Sequence, residues 1–217
     1  INGIRYIVLE DLNESGYPVR KSHLSLQEVK LGLNWLAEFH ALFMGNSPEG
    51  LWKVGTYWHL NTRPEEFDAM KNNLLKERAK AIDKALNNCA FQTIVHGDAK
   101  VANFCFNESL SEIAAVDFQY VGGGCGMKDV IYFMSSCLSE QECQDYEDEL
   151  LAYYFEKLRK ALCKHNNPLE FRSLEEEWRQ MYVYAWVDFL RFLDGWAPDH
   201  YKVNNYSLSM INRLNKR

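Results

Sequence analysis

No stretch of this sequence approaches the ~20 consecutive apolar residues that cross a bilayer as a helix, and no charged-then-apolar leader opens it. Neither a membrane span nor a secretory signal is read here. Positive charge is in deficit: 24 Lys and Arg against 30 Asp and Glu leave a net −6, so global electrostatics give a nucleic-acid partner no support. The six cysteines, Cys89, Cys105, Cys125, Cys137, Cys143 and Cys163, form no C-x-x-C pair. Zinc ribbons and thioredoxin-like sites fall away with that pattern. His23, His40, His59, His165 and His200 show no H-E-x-x-H spacing, and the G-x-S-x-G signal of α/β-hydrolases is absent. The glycines at 122–126 lack the G-x-x-x-x-G-K-[ST] order of a phosphate cradle and read as a flexible loop.

What is present is an ordinary globular composition. The 217 residues are 47 % hydrophobic and 25 % charged, enough to bury a core without disulfide staples. Free thiols in a reducing compartment, and hence a cytoplasmic protein, follow from the compartment rule. There is no internal repeat, low-complexity tract or domain linker.

Residues 4–9 read as a strand that ends in a turn at 13–16. Ser25 and Glu28 have capping-box spacing, and an apolar stripe from Leu26 to Phe43 predicts a helix. The aromatic stretch 51–60 predicts a loop that Trp52, Tyr57 and Trp58 pack onto the body. Thr62 and Glu65 form a second box, with Pro64 in the first turn of one polar helix reaching about residue 86. Short strands are expected at 93–96, 104–106 and 113–117, and helices at about 128–137, 140–164, 173–193 and 206–215. Ser139 with Glu142 and Ser173 with Glu176 supply caps. The expectation is a helical body with a small cluster of short strands near its middle.

The chemistry-bearing segment is Ile94-Val95-His96-Gly97-Asp98-Ala99-Lys100-Val101-Ala102-Asn103-Phe104, and Asp117-Phe118-Gln119 follows, its Asp fourteen residues past Asn103. Asp98 and Asp117 both follow strand-like runs, which places their carboxylates at strand ends facing a cleft. Asp98 offers an acceptor for a hydroxyl proton, and Asn103 a carbonyl oxygen for a hard cation.

H-G-D-x-x-x-x-N followed by D-F-Q resembles the aminoglycoside phosphotransferase and choline kinase group, and within it the ecdysteroid-kinase-like branch most closely. The likeness runs from the opening V-L-E-D-L through G-L-W-x-x-G-T-Y-W-H-L to the late D-G-W, and is strongest at 94–129. It implies an α+β, protein-kinase-like fold represented mainly by its helical C-terminal lobe. Residues 1–12 would be the end of an N-lobe sheet and hinge, and 13–217 the C-terminal lobe. The abrupt opening implies an upstream lobe, with its glycine-rich loop and strand lysine, beyond the start of this sequence.

The resemblance also implies roles. Asp98 is the expected catalytic acceptor of the hydroxyl proton, and Asn103 and Asp117 the expected Mg²⁺ ligands. His96 and Asp129 would support the loop. Leu9, Glu10, Asp11 and Leu12 resemble the hinge whose backbone meets adenine. Lys100 either meets the transferring phosphoryl group or faces solvent. Gln119 in place of the glycine of D-F-G, Gly97 in place of the arginine of H-R-D, and only eleven residues between Asp117 and Asp129 argue against a protein kinase. The implied reaction is Mg²⁺-dependent transfer of the ATP γ-phosphoryl group to a small-molecule alcohol. The alternative is a catalytically inactive kinase-like binding module. Tyr182, Trp186 and Asp188 on a late helix are either core or part of the acceptor cleft. In a cleft they would suit a cationic or flat apolar alcohol. Oligomeric state is not legible.

Overall fold

The computed structural model describes residues 8–216. Most of the expected opening strand therefore lies outside the described residues, as does much of the hinge division at 1–12. Val8 and Leu9, which fall inside, have no regular structure and are 93 % and 83 % exposed.

Seven α-helices dominate what is described. Helix α1 (Leu26–Leu42) starts where the Ser25 side chain accepts the Glu28 N–H and the Glu28 carboxylate takes the Ser25 N–H. The same reciprocal cap, Ser139 with Glu142, opens α5 (Glu140–Lys164). Both satisfy donors that the first turn leaves unpaired.

Two other expected caps do not form. Thr62 closes a 3₁₀ turn by donating its hydroxyl to the His59 carbonyl at 2.9 Å, so α2 (Pro64–Ala69) begins without a side-chain cap. Helix α6 (Phe171–Trp196) begins before Ser173, because the Glu170 carboxylate accepts the Arg172 and Ser173 N–H groups first.

The single polar helix expected up to residue 86 is two helices, α2 and α3 (Asn73–Asn87). A tertiary contact causes the break. Asp194 of α6 takes the N–H groups of Lys71 and Asn72 at 2.8 and 2.9 Å, diverting them from helical bonding, and Asn72 then caps α3.

Helix α6 packs on α2, α3, α4 (Met127–Cys137) and α7 (Asn205–Asn215), while α1 packs chiefly on α5. Trp58, Trp178, Trp186, Tyr154, Tyr182 and Phe133 fill the resulting core. Among the described residues no helix is long and apolar enough to cross a membrane. The cysteines are unpaired, and only Cys163 is exposed.

Two antiparallel pairs of three-residue strands complete the α+β, kinase-like lobe. Strand β1 (Thr93–Val95) pairs with β4 (Gly122–Gly124), and β2 (Phe104–Phe106) with β3 (Ile113–Ala115). The glycine run is therefore ladder rather than loose loop. A Cβ on Gly122 would lie 2.2 Å from the Trp52 carbonyl oxygen, so glycine there lets the 51–60 loop close over the strand.

That loop is locked from the other side by a buried ion pair. Asp188 accepts the Trp58 indole N–H at 3.0 Å and the Arg191 guanidinium at 2.8 Å, and Arg191 also reaches the Trp58 carbonyl. Tyr57 and Trp58 thus pack inward, whereas Trp52 stays half exposed and donates its indole N–H to the Gln119 carbonyl. Removing one partner of a buried pair strands the other charge. Asp188→Ala is therefore expected to lower unfolding free energy by about 3–5 kcal/mol, read by urea denaturation.

Candidate active site

The site is built on the β2–β3 hairpin and the loop that precedes it. Asn103 stands immediately before β2, and its carbonyl accepts the Val116 N–H at 2.9 Å, which extends the ladder by one step. Asp117 is the next residue, so the hairpin brings Asn103 and Asp117 to one end. Asp117 has φ +64°, a left-handed conformation that Asp tolerates better than most residues and that concentrates at functional positions.

Asp98 joins them through hydrogen bonds. The Asn103 amide donates to the Asp98 carbonyl at 2.8 Å and to its Oδ2 at 3.1 Å. Lys100 also places its ammonium 2.9 Å from Oδ2. Of the two readings open for Lys100, solvent-facing or phosphate-facing, the structure thus shows a third contact, an ion pair with Asp98. Oδ1 of Asp98 is buried with no partner. Asp98 is 2 % exposed, so Oδ1 is a buried oxygen to which no protein group donates.

The loop itself hangs on Asp129. Its carboxylate accepts the His96 N–H at 2.6 Å, the Gly97 N–H at 3.0 Å and a contact from His40 Nε2 at 3.1 Å, and His40 Nδ1 meets the Tyr154 hydroxyl. Burial pushes the Asp129 carboxyl up, but the His40 hydrogen bond and the Gly97 N–H outweigh it and hold the carboxyl below the ordinary value. His96 Nδ1 accepts the Asp98 N–H, and Nε2 lies 2.9 Å from the Val116 carbonyl. The tautomer with its proton on Nε2 satisfies both contacts, so His96 ties the Asp98 loop to the Asp117 strand.

Gly97 explains why arginine cannot precede Asp98 here. Its φ is +81°, and a Cβ would lie 2.2 Å from the Tyr120 carbonyl oxygen and 3.0 Å from the Thr56 N. A side chain would meet both backbone strain and two chain segments.

Whether Mg²⁺ fits can be judged from the donors. The Asn103 NH₂ is committed to Asp98, which leaves its carbonyl oxygen as a hard acceptor, and Asp117 brings a carboxylate at the same end of the hairpin. Two hard oxygen ligands fit Mg²⁺, which takes one or two carboxylates with phosphate oxygens and waters. Among the described residues no group of three or more His, Cys, Asp and Glu could hold a metal ion.

Tyr182, Trp186 and Asp188, weighed as acceptor-site residues, are placed in the interior. They are 0, 2 and 1 % exposed. Asp188 spends its oxygens on Trp58 and Arg191, and the Tyr182 hydroxyl pairs with that of Tyr206 at 2.9 Å. Their burial and internal hydrogen bonds favour the core over the cleft wall, the two readings that the sequence leaves open. Trp186 does touch a cavity of about 460 Å³ at the end of α4, which is also walled by Ser136, Cys137, Tyr201 and Lys202.

The Asp98 charge contributes to shifted ionisation at three groups on distant segments. Burial raises the Tyr57 hydroxyl to about 12, partly offset by its hydrogen bond with Tyr132 and reinforced by the Asp98 charge. Tyr132 is pushed up by burial, then by Tyr57 and Asp98. Burial lowers the Lys202 ammonium to about 8, with Asp98 attracting it and Lys100 repelling it. No motif links Tyr57, Tyr132 and Lys202, which sit on three distant segments.

Fold and site together define a kinase-like lobe. The chain matches the ecdysteroid kinase-like family over residues 2–49 and 52–167, and it belongs to that family. A search among curated proteins returns no match.

The pH dependence of stability follows from Asp129. A carboxyl held below its unfolded value of about 3.9 stabilises the fold above that pH and loses the contribution as pH falls through its folded value. Chemical denaturation from pH 7 to pH 3 should show a fall below about pH 4 that Asp129→Asn flattens, the variant being less stable at pH 7.

Proposed function

We propose that this chain serves Mg²⁺-dependent transfer of the ATP γ-phosphoryl group to a hydroxyl of a small molecule. The observation that carries the reading is the unpartnered, buried Oδ1 of Asp98, set beside an asparagine–aspartate pair on one hairpin. Family membership supports a kinase-like protein acting on small molecules. The short span from Asp117 to α4 leaves little room for docking a peptide.

In this reading Oδ2 is held by Lys100 and Asn103, which fixes the carboxylate plane and leaves Oδ1 to the acceptor hydroxyl. The hydroxyl oxygen forms a bond to the γ-phosphorus as the bond from that phosphorus to the ADP oxygen breaks. The hydroxyl proton passes to Oδ1. Bound Mg²⁺ would supply charge neutralisation at the phosphate oxygens, with Asn103 and Asp117 as its protein ligands. Asp129 and His96 keep Asp98 in place through the loop backbone. Leu9, Glu10, Asp11 and Leu12 are the proposed adenine contact. The Asp11 and Leu12 carbonyls close the next turn by accepting the Ser15 and Tyr17 N–H groups.

Asp98→Asn should leave ATP affinity near wild type while kcat falls about 10²–10⁴-fold, the usual contribution of a positioned acid–base group. Wild-type kcat in that variant would remove Asp98 from the chemistry. Asp117→Asn keeps a residue that tolerates positive φ, so the fold should persist while Mg²⁺-dependent nucleotide binding, measured calorimetrically, is lost. Nucleotide binding with no turnover on any alcohol tried would favour the binding-module alternative.

A further inference from the structure

The loop that carries Asp98 and Asn103 is held at both ends by one face of α4. Asp129, Phe133 and Ser136 follow one another at spacings of four and three residues, so all three share that face. Asp129 takes the His96 and Gly97 N–H groups just before Asp98. Two helical turns on, about 10 Å along the axis, Ser136 Oγ accepts the Val101 N–H at 2.7 Å. Between them the Phe133 ring meets that of Phe104, the residue after Asn103, edge to face at 5.1 Å. Helix α1 makes room for this ring with Gly32, where a Cβ would lie 2.0 Å from Phe133 Cζ.

The Ser136 contact matters because of what it joins. Val101 opens the 3₁₀ turn Val101–Asn103, and Lys100 before it gives that turn no side-chain cap. Val101 is 5 % exposed, so its N–H has no water to turn to, whereas Ala102 beside it is exposed. Ser136 supplies from a distant helix the acceptor that an N-cap side chain gives elsewhere. Its hydroxyl donates to the Phe133 carbonyl at 2.7 Å, which aims a lone pair at Val101. The neighbouring Ser135 hydroxyl bonds back to the Tyr132 carbonyl of its own helix.

We propose that Ser136 is a positioning residue for Asn103. It pins the start of the 3₁₀ turn, so that the Asn103 carbonyl oxygen stands where it meets a cation. This deepens the phosphotransferase reading and rests on it for the cation. Asp129 holds the other end of the loop, and Lys100 stays on Asp98 Oδ2. Loss of the Ser136 hydroxyl therefore acts first on the metal requirement.

The test compares Ser136→Ala, Ser136→Thr and Ser135→Ala. NMR of the nucleotide-free protein follows amide hydrogen exchange at Val101 and the Asn103 side-chain NH₂ resonances. Calorimetry gives the Mg²⁺ concentration at which ATP binding is half-maximal. Ser136→Ala should speed Val101 exchange about tenfold, shift the Asn103 resonances and raise the Mg²⁺ requirement about tenfold, the equivalent of one lost hydrogen bond. ATP affinity without Mg²⁺ should stay at the wild-type value. Ser136→Thr keeps the hydroxyl and should restore all three readings, and Ser135→Ala should leave them unmoved. Ser136→Cys, whose sulfur is a weak acceptor, replaces the alanine variant where the latter does not fold. An unmoved Asn103 resonance or Mg²⁺ requirement in Ser136→Ala, or equal shifts in Ser135→Ala, overturns the proposal. A wild-type protein that binds no Mg²⁺–ATP fails the phosphotransferase reading instead. The Asn103 resonances then decide alone, shifted ones supporting Ser136 as the anchor and unshifted ones overturning it.

Discussion

One buried carboxylate, that of Asp129, holds the 96–103 loop in shape. It gathers the His96 and Gly97 N–H groups and the His40 ring, and so joins α4, α1 and the loop at a single point. Each of those donors would otherwise be buried without a partner. The His40 link to Tyr154 passes the same constraint to α5. A loop carrying a left-handed glycine and a buried aspartate has little intrinsic preference for this shape, and the four-element anchor supplies it.

The second constraint is the tie between the 51–60 loop and α6. Asp188, Arg191 and Trp58 form a closed set of hydrogen bonds in the core, and they leave Tyr57 against Tyr132 beside Asp98. A carboxylate that reads in sequence as a ligand for substrate acts here as a fastener for the loop that faces the site. The difference is burial. With both oxygens engaged and no solvent access, Asp188 has nothing left to offer a visitor, whereas Asp98 keeps one oxygen open.

Both fasteners bear on the loop that carries Asp98, since the Tyr57 N–H is donated to the Gly97 carbonyl. Within that loop Lys100 and Asn103 fix the orientation of the Asp98 carboxylate.

The hairpin was legible in the residues themselves. Two short apolar strands with a turn between them determine that Asn103 and Asp117 meet, and the H-G-D spacing then fixes Asp98 five residues from Asn103. Local capping was legible only where no distant group competed. Ser25 and Ser139 cap as their spacing dictates, but Glu170 displaces Ser173, and Asp194 divides the helix expected up to residue 86. The glycine run became a strand because Trp52 and Gly55 close over it. The contact of Tyr57 with Tyr132 was illegible for the same reason: the two are far apart in the chain and share no motif. Local sequence determines hydrogen bonds that close within a few residues. Which buried charge finds a partner, and which is left facing a cleft, depends on groups that only the packing of distant helices brings together.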